Sequence, residues 1–313
     1  MKEGLLSRRE TLCAGATLAA GLSLGGIASA SADKGALITR PIPATGERIP
    51  VIGLGTNQFG VETPEEMARL QDVLQTMAKM GGRVVDTARA YGRSEEVIGE
   101  LLARMGNRDQ FFISTKTPIR GEVGAPGLEV QKAFDRLRVK QIDLMLIHNL
   151  HGLDELMPAL IQAKKDGRIR YIGMSTSSDE QYEAQMAGMR RYPLDFIQVD
   201  YSVANRTAEK RMLPLAQERK MAVLVNSPFG GRRQAASTFG KVSGKELPEW
   251  AAEFDAKSWA QLFLKYAVAH EAVTAAIPGT TKVSHLIDNQ GAGRGRLPDA
   301  AMRRKIEQYW DAL

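Results

Sequence analysis

Cysteine is nearly absent from this chain of 313 residues, in which Cys13 is the only one. Cys13 lies near the amino terminus, in a segment with the features of a cleaved targeting signal. The rest of the chain can therefore form no disulfide, and it offers no thiol nucleophile and no thiolate ligand for a metal. Disulfide-stabilised folds and thiol-dependent enzymes are excluded.

A strong excess of charge of one sign is also lacking. The chain has 42 Lys and Arg residues against 36 Asp and Glu residues, and its net charge of +6 is spread over many segments. Nucleic-acid binding usually requires a basic stripe or patch, so we expect no nucleic-acid partner. With 43% hydrophobic and 25% charged residues, the composition is that of a globular protein with one large domain or two small ones.

The amino-terminal apolar run is too short for a membrane anchor, which is the alternative reading of this segment. Residues 12–27 are about 16 apolar or small residues with four glycines, whereas a spanning helix needs roughly 20. Arg8 and Arg9 precede this run, and Ala28-Ser29-Ala30 and Ala30-Ser31-Ala32 are two alternative motifs of the small-x-small type that signal peptidases cleave. We predict a twin-arginine signal peptide over residues 1–32. The twin-arginine export machinery is then a partner, the mature protein is periplasmic or otherwise exported, and it has no stable membrane insertion.

From about residue 50 onward, short β-branched runs alternate with longer amphipathic stretches, which is typical of repeated βα units. Eight strands are predicted, at residues 50–54, 83–86, 111–115, 142–147, 169–173, 196–199, 222–225 and 273–276. Eight helices are predicted between and after them, near residues 64–80, 93–105, 128–138, 154–166, 179–190, 208–219, 257–269 and 283–289. We therefore predict an α/β fold, a single (β/α)8 TIM barrel over residues 33–313, since no dinucleotide-binding glycine fingerprint follows the first strand.

One long connection, residues 230–255, interrupts this pattern. In a barrel it would lie at the catalytic face and shape a substrate pocket, although a tolerated surface insertion is the other interpretation. Arg232 and Arg233 within it suit an acidic substrate group, or equally a solvated or phosphate-facing role.

Three polar residues stand where a barrel carries its catalytic groups. Asp86 ends the second predicted strand, Lys116 follows the third and His148 ends the fourth. In this fold the active site lies at the carboxyl ends of the strands, so the three side chains should meet there. One buried structural histidine is common, but three polar residues at equivalent strand ends point to a site.

The sequence around these residues resembles the aldo-keto reductase family. The segment Asp86-Thr87-Ala88-Arg89-Ala90-Tyr91-Gly92-Arg93-Ser94-Glu95, with Gly99 beyond it, is similar to the family signature, and the surroundings of Lys116 and His148 resemble its other two sites. The resemblance covers residues 50–290. It implies a catalytic tetrad of Asp86, Tyr91, Lys116 and His148, and an oxidoreductase that reduces aldehydes or ketones.

The chemistry of carbonyl reduction suits these residue types. A hydride must reach the carbonyl carbon and a proton the oxygen, and Tyr91 can donate the proton. A free tyrosine, whose pKa is about 10, is a reluctant donor, and a neighbouring ammonium such as that of Lys116 favours the phenolate. Asp86 would hold the lysine, and His148 would orient and polarise the carbonyl oxygen.

The resemblance also implies a nicotinamide cofactor. Around the nicotinamide and pyrophosphate it implies contacts from Gly55, Thr56, Ser175, Thr176, Gln198, Asn226, Ser227, Pro228 and Phe229. Two of these positions depart from the family pattern: Thr176 stands where asparagine is usual, and Asn226 where an aromatic residue is more common. Asn226 should weaken stacking on the nicotinamide ring.

At the adenosine end, the resemblance implies contacts from Gly279, Thr280, Lys282, His285 and Asn289. His285 stands where many relatives have an arginine for the 2′-phosphate, and Lys282 can compensate as a point charge. We expect NADPH rather than NADH. None of the four histidines forms a helical pair with a glutamate between, so no metal site is predicted.

Two other functions remain open at this point. A barrel lysine at a strand end can form a Schiff base with a carbonyl substrate, which would make Lys116 the nucleophile of an aldolase or lyase. Alternatively, the protein could bind NADP(H) with little turnover as a redox-responsive protein, because an exported protein has no obvious NADPH pool. Neither the small-molecule carbonyl substrate nor the oligomeric state can be read from the sequence.

Overall fold

The computed structural model describes residues 35–121, 124–230 and 232–313, and for residues 232–236 it describes the backbone alone. The predicted signal peptide, residues 1–32, lies outside the described residues, as do the side chains of Arg232 and Arg233. Within the described part of the chain, no helix has both the length and the apolar character needed to cross a bilayer.

Eight parallel strands curl into a barrel. In chain order they are β3 (Leu54–Gly55), β4 (Val84–Asp86), β5 (Phe112–Lys116), β6 (Ile142–Ile147), β7 (Ile169–Ser175), β8 (Phe196–Val199), β9 (Ala222–Val225) and β10 (Ala275–Ala276). Each pairs with its sequence neighbours, and parallel bridges from Ile52 to Ala276 and from Gly55 to Gly279 join the first strand to the last. The predicted (β/α)8 barrel is confirmed.

Helices cover the outside of the barrel and follow the predicted segments closely. They are α1 (Pro64–Lys79), α2 (Ser94–Met105), α3 (Pro126–Leu137), α4 (Leu153–Lys165), α5 (Tyr182–Arg191), α6 (Ala208–Glu218), α8 (Trp259–Ala269) and α9 (Val283–Gly291). The sequence marks several of their ends. Thr63 caps α1 by accepting a hydrogen bond from the Glu66 amide, and Gly81, just beyond α1, has a φ of +81°.

Four elements, β1, β2, α7 and α10, were not predicted. Pro50, the first residue of the predicted strand 50–54, instead ends β2 (Arg48–Pro50), which pairs with β1 (Thr39–Pro41) in an antiparallel hairpin. A further helix, α7 (Arg232–Lys241), lies in the long connection, and α10 (Ala300–Asp311) packs against α8 near the carboxyl terminus. The apolar patterns of these four elements are short and weak, so the local sequence does not predict them. Their secondary structure depends on packing against the rest of the fold.

Alternation along the strands divides the core into two parts. Inside the barrel, strand residues such as Val84, Phe112, Leu144 and Phe196 form one buried cluster, to which Ile42 and Ile49 around the hairpin add. The intervening residues pack outward against the helices. At the carboxyl ends of the strands the inward positions become polar, and the candidate site lies there.

Candidate active site

Four predicted catalytic side chains converge at the carboxyl end of the barrel. Asp86 is the last residue of β4, Lys116 is the last of β5, and His148 directly follows β6. The Nζ atom of Lys116 lies 2.5 Å from Oδ2 of Asp86 and 3.5 Å from the hydroxyl of Tyr91. The Tyr91 and His148 rings meet edge to face with their centroids 6.1 Å apart.

The Lys116 ammonium is fully buried, and its three protons have three acceptors. Besides the contacts with Asp86 and Tyr91, it donates to the carbonyl oxygen of Thr87 at 2.9 Å. Burial by itself lowers the pKa of Lys116, but Asp86 and Tyr91 outweigh burial and raise this pKa above its ordinary value. Lys116 therefore stays protonated at neutral pH. An amine must lose its proton to attack a carbonyl, so the environment of Lys116 disfavours a Schiff-base role.

The loop that carries Tyr91 is held by buried hydroxyl groups. The Ser94 hydroxyl contacts the Thr87 hydroxyl at 2.8 Å and donates to the Thr56 carbonyl at 3.0 Å. The Thr56 hydroxyl in turn donates to the carbonyl oxygen of Asp86 at 2.9 Å. These bonds tie both ends of the Tyr91 loop to the first two barrel strands, which fixes where the phenol points.

His148 is kept neutral by its position. Burial first, and then the positive charge of Lys116, lower the pKa of His148 to about 3. Among the described residues its Nδ1 atom has no hydrogen-bond partner, and its backbone amide donates to the Thr117 hydroxyl at 3.2 Å. A neutral imidazole at the mouth of the site can donate one hydrogen bond to a substrate oxygen without adding a charge.

A cavity of about 410 Å³ opens beside the tetrad. Asp86, Tyr91 and His148 line it, and so do many of the residues predicted to contact the cofactor: Gly55, Thr56, Ser175, Gln198, Asn226, Ser227, Pro228, Phe229 and Gly279. The cavity thus joins the tetrad to residues that follow strands on opposite sides of the barrel.

Thr176 does not line this cavity, in contrast to its predicted neighbours. Its hydroxyl donates to Oε1 of Gln185 at 2.6 Å, and its carbonyl oxygen accepts from Nδ2 of Asn226 at 2.8 Å. The Oδ1 atom of Asn226 is buried and has no partner among the described residues. Thr176 therefore orients the Asn226 side chain by a hydrogen bond and does not itself line the cavity. Asn226 places an amide at the position where the family pattern favours an aromatic ring.

Of the predicted adenosine-end residues, Gly279 lines the cavity, whereas Thr280, Lys282, His285 and Asn289 lie outside it, just before and along α9. The Thr280 hydroxyl accepts from the Lys282 amide at 3.1 Å, which shapes the turn into the helix. Lys282 and His285 are exposed and Asn289 is buried. Among the residues that the structure describes, no side chain caps the first turn of α9, which leaves its backbone N–H groups to an anion.

Sequence reasoning missed several residues of the site. Asn57, Gln58, Asn149 and Ser177 also line the cavity. The Ser114 hydroxyl donates to Oδ1 of Asp86 at 2.8 Å, next to the tetrad. Each of these residues lies within three positions of a predicted site residue, and this proximity in sequence could have identified them as candidates. Ser114 in particular precedes Lys116 by two positions and so shares its face of the strand.

Comparison with known proteins gives one consistent result. The aldo/keto reductase family model matches residues 51–310. The aldo-keto reductase yakc of Schizosaccharomyces pombe is 26% identical over 82% of this chain and 87% of that protein. Methylglyoxal reductase YeaE of Escherichia coli is 27% identical over 83% of this chain and 91% of its own.

Solved structures agree. An aldo/keto reductase from Klebsiella pneumoniae, crystallised with NADP and acetate, is 25% identical, with a TM-score of 0.70 over 85% of this chain and 93% of that one. The family model alone spans well over half of the sequence. This chain belongs to the aldo/keto reductase family.

Proposed function

We propose that this protein reduces an aldehyde or ketone to the alcohol with NADPH, with Tyr91 as the proton donor. The observation that carries the proposal is the buried contact of Asp86 with Lys116, which places a permanent ammonium 3.5 Å from the Tyr91 hydroxyl. Membership of the aldo/keto reductase family supports the same reaction class.

Each residue of the tetrad has a distinct task in this proposal. NADPH, when bound, supplies the hydride. Tyr91 gives its phenolic proton to the carbonyl oxygen, and Lys116 stabilises the phenolate that remains. His148, neutral because its pKa is about 3, donates a hydrogen bond that orients the same oxygen.

Features of this chain fit the cofactor. Ser175, the last residue of β7, pairs with Gln198 of β8, and both line the cavity that Tyr91 and His148 also line. At the start of α9, the uncapped N–H groups together with Lys282 and His285 suit a phosphate. The name of the yakc relative includes NADP(+), and the Klebsiella structure contains NADP, which supports NADPH as the cofactor here.

Binding and turnover, measured separately, test the proposal. We expect purified protein lacking residues 1–32 to change NADPH fluorescence on binding, and to oxidise NADPH when aldehydes or ketones are added. Absence of nucleotide binding would contradict the proposed function. Tight binding without turnover on a broad panel of aldehydes, ketones and quinones would favour the redox-responsive binding role.

We also propose that residues 1–32 are a twin-arginine signal peptide and residues 33–313 the exported barrel. Paired Arg8 and Arg9 before a short apolar run support this. The full chain, expressed in a bacterium with twin-arginine export, should reach the periplasm, and its processed form should begin just after Ala30 or Ala32. The variant with Arg8→Lys and Arg9→Lys should remain in the cytoplasm; equal export of both would refute the proposal.

A further inference from the structure

The Asp86 carboxylate is held from both sides. Its Oδ2 atom accepts from Lys116, while its Oδ1 atom accepts from the Ser114 hydroxyl at 2.8 Å and from Nε2 of Gln198 at 3.0 Å. All four side chains are nearly or completely buried. Both carboxylate oxygens are therefore committed, and the donors on Oδ1 determine which oxygen faces the lysine.

Strand geometry explains why Ser114 can reach Asp86. Asp86 of β4 is the register partner of Ser114 of β5, so the two residues are adjacent across the ladder. Side chains alternate along a strand, so Ser114 and Lys116 point into the barrel and Thr115 points outward. The inward residue two positions earlier, Phe112, belongs to the apolar core, so Ser114 begins the polar layer above that core.

We propose that Ser114 is a positioning residue for the reaction: it fixes the Asp86 carboxylate so that Oδ2 holds Lys116 beneath the Tyr91 hydroxyl. This inference rests on the proposed reductase function. Ser114 touches neither the cavity nor Tyr91, and it acts only through Asp86.

The same carboxylate orients Gln198. Because Asp86 accepts from Nε2 of Gln198, the amide group has its donor side toward the tetrad. Gln198 also lines the cavity, so its Oε1 atom is the acceptor left for a bound molecule. A carboxylate that rotates when Ser114 is lost would disturb Lys116 and Gln198 together.

Removal of the Ser114 hydroxyl has two expected effects. Oδ1 of Asp86 loses one of its two hydrogen-bond donors, and the ion pair between Asp86 and Lys116 weakens. Loss of one hydrogen bond to a charged group should lower kcat by about tenfold, while KM for the carbonyl should change little. Asp86 raises the pKa of Lys116 against the effect of burial, so a weaker ion pair should lower this pKa. The alkaline limb of the kcat profile should then move to lower pH.

The chain offers a matched control on the same strand. The Thr115 hydroxyl is also buried, but it donates to Oε1 of Glu95 at 2.6 Å, on the opposite face of β5. Thr115→Val removes a buried hydroxyl and keeps the side-chain volume. We expect this variant to lose stability and to keep the kcat and the pH profile of the unmodified protein.

The test compares Ser114→Ala, Ser114→Cys and Thr115→Val by steady-state kinetics and by NMR of the Lys116 ammonium in the cofactor-free protein. Ser114→Ala should lower kcat, move the alkaline limb and speed exchange of the ammonium protons with water. Ser114→Cys has a weak S–H donor and should lie between Ser114→Ala and the unmodified protein. If Ser114→Ala does not fold, the same comparison of kcat, alkaline limb and ammonium exchange is made between Ser114→Cys and Thr115→Val.

Two results would overturn the inference. One is a Ser114→Ala variant whose kcat and ammonium exchange match the unmodified protein. The other is an equal change in Thr115→Val, which would mean that any loss of a hydroxyl from β5 has this effect. If the unmodified protein reduces no carbonyl, the proposed function fails, and the NMR comparison still tests whether Ser114 holds Asp86 and Lys116 together.

Discussion

The Nζ atom of Lys116 and the Oδ2 atom of Asp86 lie 2.5 Å apart, and neither side chain is more than 3% exposed. Such a pair contributes little net stability when intact, because both charges have lost their water. Loss of one partner, however, leaves the other charged and buried. The pair is therefore best explained by the ammonium that it maintains beside Tyr91.

Asp86→Asn should accordingly impair both stability and catalysis. We expect the free energy of unfolding to fall by about 3 to 5 kcal/mol, the range for removal of one partner of a buried ion pair. Lys116 should then lose its proton more readily, since burial dominates its pKa once Asp86 is neutral. Denaturant unfolding and the alkaline limb of kcat measure the two effects.

Asp143→Asn is the matched control for this experiment. Asp143 is also buried, but it pairs with Arg108 and Arg170 near the start of β6, at the opposite end of the barrel. This variant should lose stability and retain its pH profile. A shift of the alkaline limb in Asp143→Asn would mean that the limb reports general stability rather than the Asp86 and Lys116 pair.

His148 should make the folded protein sensitive to acid. Its pKa is about 3 in the fold, because of burial and then of Lys116, against roughly 6.5 in an unfolded chain. Between these values the unfolded chain binds a proton that the folded protein does not, so the free energy of unfolding decreases as the pH falls from 6.5 toward 3. The slope from this one group is at most about 1.4 kcal/mol per pH unit.

Urea unfolding at a series of pH values checks this. His148→Gln should flatten the dependence below pH 6.5, and His151→Gln, which makes the same substitution at a more exposed histidine three residues along the chain, is the control. An unchanged slope in His148→Gln would show that the buried imidazole is not the group responsible. The same low pKa predicts that protonation of His148 produces no limb in the kcat profile between pH 5 and pH 8.

Lys282 should distinguish the two nicotinamide cofactors. If the start of α9 binds the 2′-phosphate, Lys282→Met should weaken NADPH binding by about five- to tenfold and leave NADH binding unchanged, because NADH lacks that phosphate. Fluorescence titration with both cofactors measures this. Lys210→Met, which removes another exposed lysine, in α6, is the control. Equal loss for NADPH and NADH would place the 2′-phosphate elsewhere.

The repeated pattern of the barrel could be predicted from sequence because each βα unit has its own local signal. The capped start of α1 and the apolar run at residues 144–147 of β6 predicted their elements within a residue or two. The hairpin β1 and β2 was missed because three-residue strands carry almost no pattern, and their pairing depends on the barrel that they cover. Helix α10 was missed because it is mostly polar and packs by only a few residues, such as Ile306 and Trp310.

The tetrad was accessible from sequence because a signature motif and three strand ends coincide. The hydrogen bond from Ser114 to Oδ1 of Asp86 could not be predicted from sequence, since it depends on the register between β4 and β5. The placement of Thr176 was equally inaccessible, because a hydrogen bond to Gln185 of α5, made only in the folded chain, draws its hydroxyl away from the cavity.

The most direct test of the account is the comparison of Tyr91→Phe with the unmodified protein, both loaded with NADPH and mixed with an aldehyde that the latter reduces. The variant keeps the aromatic ring and loses only the hydroxyl that Lys116 contacts. We predict NADPH affinity close to that of the unmodified protein and a single-turnover rate lower by about 100- to 10,000-fold, the usual contribution of a general acid. Reduction by Tyr91→Phe at the unmodified rate would contradict the central claim that this phenol donates the proton.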